Sequence, residues 1–214
     1  MTTSGSGKFK HLTDRGEAGR RLAVLLLERG FDKPLVYAIP RGGVPVALII
    51  AQALNAPLDL LPVCKLCIPG RSPSAFGALA EGVEEPLFNS VACTGLSKEA
   101  MSPVVARERS ELARRVKLYF DGRDRLNPKD RTVILVDDGI ATGITAYAAL
   151  HALKQKGAAR IILAVPIADD ESRAMCQGLA DEIVTADPGR RSFLIAALCG
   201  SEDQLSDSEM LAML

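Results

Sequence analysis

Residues 133–145 read Val-Ile-Leu-Val-Asp-Asp-Gly-Ile-Ala-Thr-Gly-Ile-Thr. The apolar run Thr132 to Val136 does not alternate, which predicts a short strand buried on both faces. Two adjacent carboxylates, Asp137 and Asp138, follow at once. The next residues, Gly139, Ile140, Ala141, Thr142, Gly143, Ile144 and Thr145, form a turn rich in N–H groups and hydroxyls, the makings of an anion cradle. A helix predicted over Thr142 to Lys156 would add the positive end of its dipole. The stretch therefore sets two negative charges beside a loop suited to hold another.

Outward from this stretch the chain alternates strand and helix. Asp14 with Glu17 reads as a capping box for a first helix whose apolar face is Leu22, Leu25 and Leu26, stopped by Gly30. A strand is predicted over Leu35 to Ile39, then the turn Pro40-Arg41-Gly42-Gly43, a helix over Val44 to Leu54 with Pro45 in its first turn, and a strand over Leu58 to Cys64. Lys65 to about Glu85 shows no periodicity and reads as an irregular loop, a type that is usually functional or mobile. Leu87 to Cys93 is a candidate strand. Ser97 to Phe120 is helical in composition, with Pro103 in its first turns and an Arg-rich segment, Arg107 to Arg115, that reads as a solvent face. Beyond the opening stretch come strand Arg160 to Val165, helix Asp170 to Gly178, strand Glu182 to Thr185 and a tail ending in a short acidic helix.

Continuously apolar strands separated by helices predict a doubly wound α/β fold, with a mainly parallel five-stranded sheet covered on both faces. Such sheets commonly take the order 2-1-3-4-5, and ligands bind beyond the carboxyl ends of the strands where the order reverses. Here that point lies between the first and third strands. Their ends carry Pro-Arg-Gly-Gly and the Asp-Asp loop, so the two loops should face one crevice.

A ligand that satisfies both halves of the opening stretch is a phosphorylated ribose. The loop and helix start take the phosphate, and the carboxylates, which only accept hydrogen bonds, take the sugar hydroxyls. Read alone, Asp-Asp-Gly after a strand is a common turn, and Arg41-Gly42-Gly43 could be a tight strand-to-helix connection. The thirteen-residue context and the pairing of the two loops favour the ligand role.

The run VILVDDGIATGIT resembles the phosphoribosyl pyrophosphate (PRPP) binding motif of the type I phosphoribosyltransferases. The likeness extends over most of the chain: Ile-Pro-Arg-Gly-Gly is similar to that family's pyrophosphate loop, and Val63-Cys64-Lys65-Leu66 resembles the place where such enzymes carry a basic residue toward pyrophosphate. Within the family the chain resembles a subgroup with no settled substrate, in which K-L-x-x-P-G and a terminal Q-x-S-D-x-E recur. Here these are Lys65 to Gly70 and Gln204 to Glu209. Where that subgroup tends to carry an aromatic pair before its terminal motif, this chain has Ala196-Ala197-Leu198-Cys199-Gly200.

The resemblance implies one phosphoribosyltransferase domain over 1–214, with its core at about 14–64 and 97–186, a mobile loop at about 65–90 and a hood and tail at about 187–214. It implies displacement of pyrophosphate from C1 of PRPP by a nitrogen acceptor, a nucleobase or related amine. Asp137, Asp138, Arg41 and Lys65 would be catalytic. Gly42, Gly43 and residues 139–145 would bind substrate, Gly42 and Gly43 by offering backbone N–H groups. Mg²⁺ would be the cofactor without a dedicated protein cage, and a homodimer is expected. Lys65 also reads as an ordinary solvated lysine at a strand end, and Phe193 as a packing residue. The alternative function is a non-catalytic PRPP-binding regulator. A nucleotide hydrolase is disfavoured, since neither G-x-x-x-x-G-K-[ST] nor G-x-G-x-x-G occurs.

Composition sets the remaining bounds. A chain of 214 residues has room for one domain with a small accessory lobe. Lys plus Arg equals Asp plus Glu at 26 each, so no overall field draws it to nucleic acid or a membrane, and bound phosphate must be held locally. The longest apolar runs, such as Val44 to Ala51, are too short to span a bilayer, and Met1 to Lys10 lacks a signal peptide's apolar core, so a cytoplasmic protein is expected. Five cysteines fit free thiols in a reducing compartment; Cys64 and Cys67 lack a second pair or a nearby His to complete a zinc site.

Overall fold

Five of the apolar runs assemble into one parallel sheet. The computed structural model describes residues 15–67, 75–186 and 205–214. The chain runs α1 (Arg15–Leu27), β1 (Leu35–Ala38), α2 (Gly43–Ala53), β2 (Leu58–Leu60), β3 (Val63–Cys67), β4 (Ala75–Ala80), β5 (Leu87–Phe88), α3 (Lys98–Phe120), β6 (Thr132–Val136), α4 (Ile144–Gln155), β7 (Arg160–Val165), α5 (Asp170–Cys176), β8 (Glu182–Thr185) and α6 (Asp207–Leu211). The large sheet has the order β2-β1-β6-β7-β8 with every neighbouring pair parallel, so the reversal of strand order falls between β1 and β6 as expected.

The pleat explains why these strands are apolar throughout. Leu35 and Tyr37 of β1, Val133 and Leu135 of β6 and Ile161 and Leu163 of β7 pack with α4. Their neighbours Val36, Ala38, Ile134, Val136, Ile162 and Ala164 pack on the opposite face with α1, α2, Tyr119 of α3 and Met210 of α6. Both faces are covered, and each buried Leu or Ile removes enough apolar surface from water to favour folding by about 2 kcal/mol. No described helix is long and apolar enough to cross a membrane.

The structure departs from the sequence reading in the segment expected to be an irregular loop. The second strand stops at Leu60: the Leu61 N–H makes the last ladder bond, to Ala38 O, and Pro62 has no N–H to continue it. Val63–Cys67 then pairs antiparallel with Ala75–Ala80, which pairs with Leu87–Phe88. This small sheet is covered on both faces: Val63, Ala75, Ala78 and Ala80 join the α4 side, and Cys64, Leu66, Phe76 and Leu79 pack under Val104 and Leu112 of α3. Residues 68–74, which include Arg71, Ser72 and Ser74, lie outside the described residues, as do Asp14 and Phe193. The strand expected to reach Cys93 ends at Phe88, where the Asn89 side chain accepts the Val91 and Ala92 N–H groups and turns the chain.

Helix boundaries shift by a residue or two. Ser97 caps α3 by accepting the Ala100 N–H, and Pro103 is accommodated inside that helix. Helix α4 begins at Ile144 instead of Thr142, because Gly143 takes the left-handed conformation, φ 74°, and cannot be a helical residue. Helix α5, capped by Asp169, ends at Cys176 rather than Gly178.

Candidate active site

Strands β1 and β6 run in register, Ala38 opposite Val136, and the Ile39 N–H extends the ladder to Val136 O at 2.9 Å. Both strands therefore end at one level, and the loops that follow open into one cavity of about 370 Å³. Of the residues expected to form the site, Arg41, Gly42, Lys65, Asp137, Asp138, Gly139, Ile140, Ala141, Thr142, Gly143 and Thr145 line this cavity. Gly43 and Ile144 do not. Ile144 is fully buried in the core and Ile140 is 2% exposed, so these two side chains anchor the loop, and a ligand would meet backbone at Ile140.

The first loop approaches the second so closely that side chains are excluded. A Cβ on Gly42 would lie 2.0 Å from Asp138 Oδ2, and one on Gly43 would lie 2.7 Å from Val136 O. Gly43 thus explains itself by packing of α2 against the end of β6, while Gly42 leaves backbone bare beside the carboxylate. The Pro40–Arg41 peptide bond is cis.

The two carboxylates differ in environment. Asp137 is buried and accepts the Asp138 N–H at 2.9 Å. Burial foremost, and the neighbouring Asp138 charge second, push its carboxyl well above the usual range, while the Asp138 N–H and the Lys65 ammonium oppose the shift. Asp138 accepts Arg15 Nε at 3.2 Å and Nη2 at 2.9 Å in a partly buried ion pair. Arg15, in the first turn of α1, lines the cavity and is a site residue the sequence reading missed.

The cradle is held from outside. The Ile140 N–H donates to Ile167 O at 3.2 Å, Ser172 Oγ donates to Ile140 O at 3.2 Å, and the Tyr147 N–H donates to Gly143 O at 2.8 Å. Its inner face is less satisfied: Thr145 Oγ1 is buried with no hydrogen-bond partner among the described residues. A buried hydroxyl without a partner is costly and suits a site completed by a ligand.

The small sheet and α3 supply the opposite wall. Lys65 reaches it from β3 beside Cys64, and Glu108 and Arg115 reach it from α3. The Arg-rich helix is therefore a solvent face only in part: Arg107 is 60% exposed on its side chain, whereas Arg115 is held by Glu111 at 2.7 Å and turned to the cavity. Hydrogen bonding to Arg114, and then to Arg115 against some burial, holds Glu111 at about 2. Cys64 and Cys67 are free and face opposite sides of β3, one packed under α3 and the other toward α4, so they do not converge on a metal. Burial pushes the Cys64 thiol up to about 11.

No group of three or more His, Cys, Asp or Glu side chains that could hold a metal occurs among the described residues. The cavity offers a carboxylate pair instead. Adjacent carboxylates are hard oxygen donors of the kind Mg²⁺ takes, one or two at a time together with water.

The family model described as phosphoribosyl transferase domain matches residues 8–189. Two proteins of Mycobacterium tuberculosis, from strains CDC 1551 and H37Rv and provisionally named phosphoribosyl transferases, are each 41% identical over 207 residues. That match covers 96% of this chain and 47% of theirs, so the chain spans about half the length of the curated relatives it matches. The crystal structure of TT1426 from Thermus thermophilus superposes with a TM-score of 0.76 at 33% identity, covering 96% of this chain and 98% of that one.

Proposed function

This chain belongs to the phosphoribosyl transferase domain family, and from that premise we propose that it transfers the phosphoribosyl group of PRPP, with Mg²⁺, to a nitrogen acceptor, a nucleobase or related amine. The observation that carries this reading is the meeting of the Pro40–Gly43 loop and the Asp137–Thr145 loop in one cavity at the reversal of strand order.

In this reading the 5′-phosphate lies in the cradle, against the N–H groups of 139–145 and the Thr142 and Thr145 hydroxyls, where Thr145 Oγ1 gains the partner it lacks. The ribose hydroxyls donate to Asp137 and Asp138. Pyrophosphate faces the bare backbone at Gly42, with Arg41 and Lys65 beside it. The acceptor approaches C1 from the face opposite pyrophosphate. A nitrogen–C1 bond forms as the C1–oxygen bond to pyrophosphate breaks; the electron pair leaves with pyrophosphate, and the acceptor's N–H proton passes to water.

The chain's residues act mainly by electrostatics. Arg41, Lys65 and loop N–H groups stabilise charge gathering on the leaving group. Asp138, and Asp137 once its proton is released, place negative charge near a sugar that becomes cationic, which favours the transition state over the bound substrate. Mg²⁺ would supply further neutralisation of pyrophosphate, with Asp137 and Asp138 the residues available to hold it through hydroxyls and water.

PRPP-dependent pyrophosphate release, measured across a panel of bases and small amines, tests the proposal. Release with at least one acceptor is expected. PRPP binding with no release for any acceptor would favour the regulatory alternative, and absence of PRPP binding would defeat both.

A further inference from the structure

The C-terminal helix reaches the site through one carboxylate. Ser206 and Glu209 form a reciprocal capping box, Ser206 Oγ accepting the Glu209 N–H and the Glu209 carboxylate accepting the Ser206 N–H at 2.8 Å. Met210 is fully buried against the α1 and α2 side of the large sheet. Together they fix the first turn of α6, and with it Asp207. Leu205, just ahead of the cap, lines the cavity.

Asp207 is clamped from α3. Its Oδ2 accepts Arg114 Nη2 at 2.7 Å and its Oδ1 accepts the Tyr119 hydroxyl at 2.7 Å. Tyr119 is itself fully buried, so the clamp is rigid. Burial alone would raise the Asp207 carboxyl, but the bonds from Arg114 and Tyr119 outweigh it and keep the group below the usual range, hence ionised. The same Oδ1 stands 3.9 Å from Arg41 Nη1. That separation is too long for a hydrogen bond, so the influence is Coulombic: a fixed negative charge narrows the range of conformations open to a long, flexible guanidinium.

We propose that Asp207 is a positioning residue for Arg41, holding its guanidinium at the pyrophosphate side of the cavity and linking that loop to α3. The inference rests on the reading of Pro40–Gly43 as the pyrophosphate-facing loop. A purely structural Asp207 would join α6 to α3 and have no bearing on an anion at Arg41. Arg114 distinguishes the two, because its loss removes one of the two α3 bonds to Asp207 and leaves the Asp207 charge, still held by the Tyr119 hydroxyl, facing Arg41.

Calorimetric titration of the full chain with Mg²⁺–pyrophosphate, and separately with inorganic phosphate, provides the test. Asp207→Asn should weaken pyrophosphate binding about fivefold to thirtyfold, the range typical of coupled neighbours, with phosphate affinity unchanged. Arg41→Ala combined with Asp207→Asn should bind no more weakly than Arg41→Ala alone. Asp207→Glu should restore affinity, and Arg114→Gln should lower the melting temperature with pyrophosphate affinity intact. Additive losses from Arg41→Ala and Asp207→Asn, or equal losses from Arg114→Gln and Asp207→Asn, would overturn the proposal. If Arg41→Ala weakens binding and Asp207→Asn does not, the positioning role alone fails. If the unaltered protein binds no pyrophosphate, or Arg41→Ala changes nothing, the reading of the loop fails and the inference with it.

Discussion

Arg15 Nη2 stands 2.9 Å from Asp138 Oδ2, joining the first helix to the loop after β6 across 123 residues of chain. The same oxygen lies where a Cβ on Gly42 would have to be. Asp138 is thus fixed by a cation on one side and bare backbone on the other, directly beside the buried Asp137. Ionising two carboxyls in one small cavity is costly, and the guanidinium offsets part of that cost.

Removing the cation should expose this cost. Arg15→Gln is expected to destabilise the protein by about 1–3 kcal/mol, less than for a fully buried pair because both side chains retain some solvent. Urea unfolding at neutral pH measures it. An unchanged midpoint would mean that Asp138 does not depend on Arg15.

Asp137 makes a prediction about pH. Below about pH 4, the ordinary carboxylate value, folded and unfolded chains both hold the proton and the residue contributes no difference. As pH rises, the unfolded chain releases its proton while the folded chain retains it, because the folded value is raised. Stability is therefore lost progressively until the folded value is passed. Asp137→Asn should match the unaltered protein near pH 4 and melt at a higher temperature at pH 8. A difference that shrinks with rising pH would contradict the assignment of burial as the dominant cause.

The two glycines of the first loop should fail differently. A Cβ on Gly43 meets the Val136 backbone, which cannot yield, so Gly43→Ala should cost about 1–3 kcal/mol of stability. A Cβ on Gly42 meets the end of the Asp138 side chain, which can rotate away from Arg15. Gly42→Ala should accordingly lose more PRPP affinity than stability. Denaturant unfolding and PRPP titration of both variants decide this, and the reverse ranking would contradict the packing described for the two positions.

Thr145 offers a separate check on the cradle. Its hydroxyl has no partner among the described residues, so Thr145→Val should leave the empty protein as stable or stabilise it by about 1 kcal/mol, while phosphate binds more weakly. Thermal melting paired with phosphate titration reads both effects. A clear loss of stability with unchanged phosphate affinity would assign the hydroxyl a structural bond instead.

The sequence made some of this architecture legible and hid the rest for physical reasons. Strands β6, β7 and β8 match their predicted bounds because each is an apolar run bracketed by charged or turn residues, and the reversal between β1 and β6 follows from their order. The small sheet was hidden: Ala75–Ala80 is buried on both faces, carries Gly77 and small residues, and shows no alternation to mark it as a strand. Local pattern also cannot reveal partners that meet only after folding. Arg15 reads as an ordinary first-turn residue and Asp207 as part of an acidic tail, yet one reaches Asp138 and the other joins Tyr119 across 88 residues. Arg115 reads as a solvent residue because its helix is charged, although the small sheet brings that helix over the cavity.

The proposed function depends on one ligand spanning both halves of the site, its phosphate in the 139–145 cradle and its ribose on Asp137 and Asp138. The decisive measurement is calorimetric titration of the unaltered protein, Asp137→Asn and Asp138→Asn with PRPP plus Mg²⁺, and in parallel with inorganic phosphate. Both substitutions should weaken PRPP binding about tenfold or more, as expected for lost hydrogen bonds to charged groups, while phosphate binding stays nearly unchanged. PRPP affinity unaltered in both variants would contradict the placement of ribose on this pair.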